Sequence, residues 1–230
     1  KLYVAAGDYQ SDTNGNFSSL LVYDPAADSW DQTRASAATA RDRAAGAFIG
    51  GRLHVTGGVA NCAPCLPLGA LEAYSVSGNA WETLASLPTP RTGPGAGGID
   101  GKLYVVGGAD LGIPSDGGAQ HNLKYATLEV FDPVAGTWST KASMPTARRE
   151  PGVAVLDGRL YVMGGIITGD AVTNVVEVYD PCTDSWTTVA PLPTARSSFM
   201  VGVIGRTIHV VGGRDTDYNT LLTRHDVYTP

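Results

Sequence analysis

Four marks recur along this chain at fixed separations, and they leave few folds open. They are an Arg, a Gly-Gly pair, an aromatic residue and a Trp. The Arg lies 16 residues before the first Gly in four units: Arg41 to Gly57, Arg91 to Gly107, Arg148 to Gly164 and Arg196 to Gly212. The second glycines are Gly58, Gly108, Gly165 and Gly213. The aromatic lies 7 residues before the Trp in four units: Tyr23 to Trp30, Tyr74 to Trp81, Phe131 to Trp138 and Tyr179 to Trp186. A worn first copy, "KLYVAAG", puts Ala6 where the first Gly would stand. Only the interval from Gly to aromatic varies widely, from 15 to 24 residues. A fixed period marks a repeat architecture, and a segment that accepts insertions behaves as a surface loop on a packed scaffold.

Each unit reads as four short strands. The first follows the Arg and is rich in small residues, as in "AAGAFI" (44–49) and "PGVAVL" (151–156). The second is "KLYVVGG" (102–108) and its relatives. The third ends at the aromatic, as in "VVEVYDP" (175–181), and the fourth starts at the Trp. Asp-Pro follows the aromatic in three units and suits a type I turn. Helical periodicity is absent.

A unit of about 50 residues with four strands and this signature resembles the kelch repeat, the building block of kelch β-propellers. The resemblance covers essentially the whole chain. It implies an all-β fold of four-stranded antiparallel blades. The segments fall at roughly 1–36, 37–87, 88–144, 145–192 and 193–230, within one domain spanning 1–230. The marks account for eighteen strands, two short of five full blades. Kelch propellers commonly have six or seven blades, so the chain is expected to be an excerpt of a larger ring; the alternative is a five-bladed ring lacking one closing segment.

In such a propeller the first strand lies nearest the axis, where only small residues fit, as in "GPGAGGI" (93–99). Trp30, Trp81, Trp138 and Trp186 fill the widening outer gap between blades, rather than forming a sugar-stacking array. The paired glycines serve a bend with positive φ or a close approach of backbones. The repeated Arg41, Arg91, Arg148 and Arg196 read as scaffold, bound to carbonyls or to an inter-blade carboxylate.

Alternating strand direction puts the variable loops and the blade-to-blade connectors on one face. Two residues beyond each repeated Arg the chain reads Arg43, Gly93, Glu150 and Ser198, a constant position with a changing occupant. The resemblance implies that this position points into a binding pocket. Arg43, Arg149, Glu150 and Ser198 are therefore the leading ligand contacts, with His121 added from the longest loop. Asp12, Asn14 and Asn16 alternate as in a calcium loop, but the expected Glu is missing. His121 with Asp110 and Asp116 could mark a metal site; a polar loop is the simpler reading. Cys62 and Cys65 form a lone CxxC, read as a local disulfide or two free thiols, and no metal or other cofactor is expected.

A net charge of −6 without a basic stripe argues against nucleic acid as a partner. No apolar run reaches the length of a membrane span. The leading reading is a rigid platform for a protein or glycan ligand. The alternative is part of a carbohydrate-active or copper oxidase-like (galactose oxidase-like) kelch enzyme whose catalytic residues lie mostly elsewhere. His54 and His209 stand at the Tyr position of the second strand and read as packing residues. The oligomeric state is open. An Ala-rich, Lys-poor composition suggests a bacterial source and an extracellular or cell-surface location.

Overall fold

The computed structural model describes residues 1–8, 16–60, 66–110, 123–215 and 220–229. His121, Asp12, Asn14, Asp116, Cys62 and Cys65 lie outside the described residues. The described residues form three four-stranded antiparallel sheets and two three-stranded ones, in chain order 3-4-4-4-3. The first holds Leu2–Asp8, Asn16–Asp24 and Ser29–Asp31. The second holds Ala45–Ile49, Arg52–Thr56, Leu71–Ser75 and Ala80–Leu84, and the third Gly95–Ile99, Lys102–Val106, Leu128–Asp132 and Thr137–Lys141. The fourth holds Gly152–Leu156, Arg159–Met163, Val176–Asp180 and Ser185–Val189, and the fifth Met200–Ile204, Thr207–Val211 and His225–Tyr228. A short pair, Ala109–Asp110 with Leu123–Lys124, rises from the third-blade loop. The sheets are the blades of a β-propeller, and their first strands face one another around the axis.

The constant spacing of seven has a direct cause. It places each aromatic opposite its Trp across a hairpin: Tyr23 pairs with Trp30, Tyr74 with Trp81, Phe131 with Trp138 and Tyr179 with Trp186. The four ring pairs have centroids 5.2–5.3 Å apart, tilted by 42–47°. Cross-strand aromatic pairs of this kind hold hairpin register. The turn between them is closed by Asp side chains that accept amides two residues on, as Asp132 does from Val134 at 2.9 Å. The turn ends on a residue with positive φ: Asp28, Asn79, Gly136 or Asp184. Where the aromatic is Tyr, its hydroxyl donates to this side chain, as Tyr179 does to Asp184 at 2.7 Å and Tyr74 to Asn79 at 2.8 Å. Where it is Phe131, the partner is Gly136 and neither polar group exists.

Four apolar clusters occupy the four junctions between successive blades. Three of the Trp residues join them from the outer side. Trp81, Trp138 and Trp186 also donate their indole N–H to the carbonyls of Ala35, Ala85 and Ala142 of the preceding blade, at 2.7, 2.7 and 2.8 Å. Trp30, in the first blade, is 47% exposed. Near the axis the packing limit appears at Gly97, where a Cβ would lie 2.6 Å from the Leu160 side chain and 2.7 Å from that of Val155.

Candidate binding site at the channel mouth

The connectors that enter each first strand are fixed by a buried ion pair. Arg41, Arg91, Arg148 and Arg196 are each at most 1% exposed. They pair with Glu72, Glu129, Glu177 and Asp226, two residues before the aromatic of the third strand. The carboxylate lies within the same blade, which corrects the expectation of an inter-blade bridge. The same guanidinium donates to the carbonyl of the first Gly of the pair, at 3.1, 2.9, 2.9 and 3.2 Å along the four blades. Burial pushes the Arg41, Arg91 and Arg148 guanidinium groups below their ordinary range, and the paired carboxylates oppose that shift. They stay cationic at neutral pH. Sequence reading singled out the Arg but not its acid. The signal was present: an acid stands two residues before the aromatic in these four blades, and Leu21 takes that place in the first.

The Gly pair joins one blade to the next. Gly107 has φ +67°, and a Cβ there would meet the Arg148 carbonyl at 2.6 Å. Gly108 donates its amide to that carbonyl at 2.9 Å. Gly58 and Gly165 make the same bond to Arg91 and Arg196. Positive φ and close backbone approach therefore act together at this pair.

Beyond the buried Arg the chain turns over the end of the channel. The position occupied by Arg43, Gly93, Glu150 and Ser198 has φ of 49°, 58°, 53° and 53°. The left-handed region costs little for Gly and is unfavourable for the other three, so the surroundings must hold them there. A belt of backbone hydrogen bonds does so. Gly93 N–H donates to the Arg43 carbonyl at 2.9 Å, Glu150 to Gly93 at 2.7 Å, and Ser198 to Glu150 at 3.4 Å. The belt crosses four blades and holds the backbone at each of these positions.

These residues surround a cavity of about 640 Å³, together with Arg149, Ile166 and Arg214. Ala44, Pro94, Pro151 and Phe199 form its apolar wall. Arg149 and Ser198 both bind the Glu150 carboxylate, through a guanidinium NH and the hydroxyl. Arg43 is half exposed and has Asp42 at 3.6 Å. The Arg149 Nε is buried and makes no hydrogen bond among the described residues. Arg149 also lies 4.0 Å from Asp170, which pairs with the nearly buried Lys124 at 2.6 Å. The structure thus brings Arg43, Arg149, Glu150 and Ser198 to one cavity. Sequence reading missed Arg214, Ile166 and Phe199. Arg214 directly follows the Gly212-Gly213 pair, and its backbone bridges Ser197, which carries it to the mouth.

Comparison with known proteins bears on the fold and the family. A family profile for the KLHDC2/KLHL20/DRC7 Kelch-repeats domain matches residues 1–213. The chain belongs to the kelch-repeat family. Kelch-like ECH-associated protein 1A of Danio rerio is 36% identical over 98 residues, covering 43% of this chain and 15% of that protein. Kelch-like protein 15 of Danio rerio is 28% identical over 177 residues, covering 72% of this chain and 28% of that protein. The kelch chain therefore spans well under a third of these relatives. The solved structure of YjhT superposes with a TM-score of 0.71 at 22% identity, covering 86% of this chain and 67% of that one. That likeness concerns the fold. Both relatives are vertebrate proteins, and the expected bacterial, exported source draws no support from them.

Proposed function

We propose that this kelch propeller is a rigid binding platform that holds an acidic segment of a protein partner in the channel mouth. One observation carries the reading. Arg43, Arg149 and Arg214, from the second, fourth and fifth blades, converge on one cavity whose lining, among the described residues, includes one carboxylate, Glu150, already bound by Arg149 and Ser198. Among the described residues the lining carries three guanidinium groups and one carboxylate, on a chain whose net charge is −6. Guanidinium groups suit carboxylates because they present several N–H donors in a plane. The apolar wall of Pro94, Pro151 and Phe199 adds a surface for the partner's side chains. The belt fixes the backbone that carries Arg43, Glu150 and Ser198 before the ligand arrives, which lowers the ordering cost of binding.

Kelch-like ECH-associated protein 1A is named for an association with ECH, which supports a partner-binding role. The enzyme reading, copper oxidase-like or carbohydrate-active, has no specific observation in its favour. The test is selection of binders from a random-peptide display library, with the Arg43→Ala/Arg149→Ala chain as counter-selection. Peptides rich in Asp and Glu that fail on the double variant support the proposal. Neutral or basic peptides that bind both chains equally overturn it.

A further inference from the structure

The channel mouth carries an acid of its own where an acidic ligand would sit. Of the four residues at the belt position, Arg43, Gly93, Glu150 and Ser198, Glu150 alone is negatively charged. Its place is built from three sides. Arg149 donates to one carboxylate oxygen, and the Ser198 hydroxyl, from the next blade, donates to the other. Gly93, from the blade before, leaves room for the side chain: a Cβ there would lie 3.0 Å from the Glu150 Cγ. The Arg149 and Glu150 side chains are only 15% and 18% exposed. An ion pair so sheltered is screened less than a surface pair.

The surroundings show which partner of Arg149 can leave. The guanidinium lies between two carboxylates, with Glu150 on one terminal nitrogen and Asp170 4.0 Å from the other. Asp170 is held at 2.6 Å by the ammonium of Lys124, a side chain only 3% exposed. The second oxygen of Glu150 is held by the hydroxyl of Ser198, which is an exposed residue. A neutral hydroxyl holds a carboxylate less firmly than a buried ammonium does. The Glu150 backbone is pinned: its amide donates to the Gly93 carbonyl at 2.7 Å, and its carbonyl accepts from the Ser198 amide. The side chain is therefore the part that swings. A carboxylate arriving at Arg149 exchanges for that of Glu150. One ion pair forms, another breaks, and the released acid stays tethered beside the newcomer.

We propose, building on the reading of the mouth as a receptor for acidic segments, that Glu150 is an internal competitor for them. It occupies the Arg149–Ser198 subsite as a ligand carboxylate would, and so sets the affinity threshold of the mouth. An arriving acid gains little at Arg149, because the exchange conserves ion pairs and adds repulsion between like charges. The mouth thus turns weakly acidic segments away and keeps strongly acidic ones.

Fluorescence anisotropy of a labelled oligo-aspartate peptide, at low salt and neutral pH, tests this. The chains compared are wild type, Glu150→Gln, Arg43→Ala/Arg149→Ala, and that double variant with Glu150→Gln added. Glu150→Gln keeps the side-chain shape and an acceptor for Ser198 while removing the charge. It should bind the peptide at least about tenfold more tightly than wild type. Without the two arginines, the same change should leave the affinity essentially unaltered. A gain in affinity is a readout that a merely structural role of Glu150 would not give. Equal, weaker or absent binding by Glu150→Gln overturns the proposal, as does a gain that persists without the arginines. The reading of the mouth falls separately, if removing the arginines makes no difference in either background.

Discussion

The guanidinium of Arg91 and the carboxylate of Glu129, 38 residues apart in sequence, form an ion pair in which the arginine is fully buried. Arg91 also donates to the Gly107 carbonyl at 2.9 Å and stacks over the Tyr125 ring at 5.2 Å. One side chain thus ties the entry of a blade to its second and third strands. Glu129→Gln leaves the buried cation without its counter-charge. The expected cost is about 3–5 kcal/mol, the usual range for breaking a buried pair from one side. Urea unfolding would measure it. A loss below about 1 kcal/mol would mean that the carbonyls alone satisfy the guanidinium.

Gly107→Ala and Gly136→Ala separate two costs. Both sites have positive φ, at +67° and +68°. Gly136 has open space around a would-be Cβ, whereas Gly107 faces the Arg148 carbonyl. Gly136→Ala should cost about 1 kcal/mol for backbone strain alone. Gly107→Ala should cost clearly more, because two blades must separate to relieve the contact. Equal midpoint shifts in thermal melts would show that the junction yields freely.

The Phe131–Gly136 pair departs from the Tyr–Asp and Tyr–Asn pairs of the other hairpins. Phe131→Tyr with Gly136→Asp should install the missing hydrogen bond. The double change is expected to be neutral or stabilising, by up to about 1 kcal/mol, the net worth of one such bond. Gly136→Asp alone should be no better than neutral. A double-mutant cycle would read the coupling.

Asp184 gives a pH dependence with a definite sign. Its carboxyl is held below the ordinary carboxylate value, first by the Ala142 amide and then by the Tyr179 hydroxyl. As pH falls, the unfolded chain takes up that proton first. The stability Asp184 contributes is present above its unfolded pKa of about 4 and is lost as pH falls through the lower native value. Asp184→Asn keeps an acceptor, as Asn79 does naturally, without titrating. The stability difference between wild type and Asp184→Asn should stay flat above about pH 5 and change only in acid. A difference that varies between pH 6 and 8 would assign the dependence elsewhere.

The fold was largely legible because each constant spacing has one geometric cause. Seven residues from Tyr74 to Trp81 is a hairpin with the rings opposed. Sixteen from Arg91 to Gly107 is the span that lets a guanidinium reach a carbonyl at the end of the blade's second strand. The mouth was half legible. Arg43, Arg149, Glu150 and Ser198 follow the ruler, so their convergence could be foreseen. Arg214 enters from a loop whose length varies, and Phe199 follows Ser198 without a mark of the repeat on it. The acids Glu129 and Glu177 were overlooked because single charges in strands read as solvent-facing, whereas both are buried.

The most direct test of the cationic mouth is the salt dependence of one equilibrium. The dissociation constant of an acidic peptide obtained by display would be measured across ionic strengths, for the wild-type chain and for Arg43→Ala/Arg149→Ala. Partly exposed charges are screened by salt over about 8–10 Å, so wild-type affinity should fall as salt rises. The double variant should bind at least about tenfold more weakly at low salt, with a flatter slope. Equal affinity and equal slope for the two chains would contradict a binding site at the channel mouth.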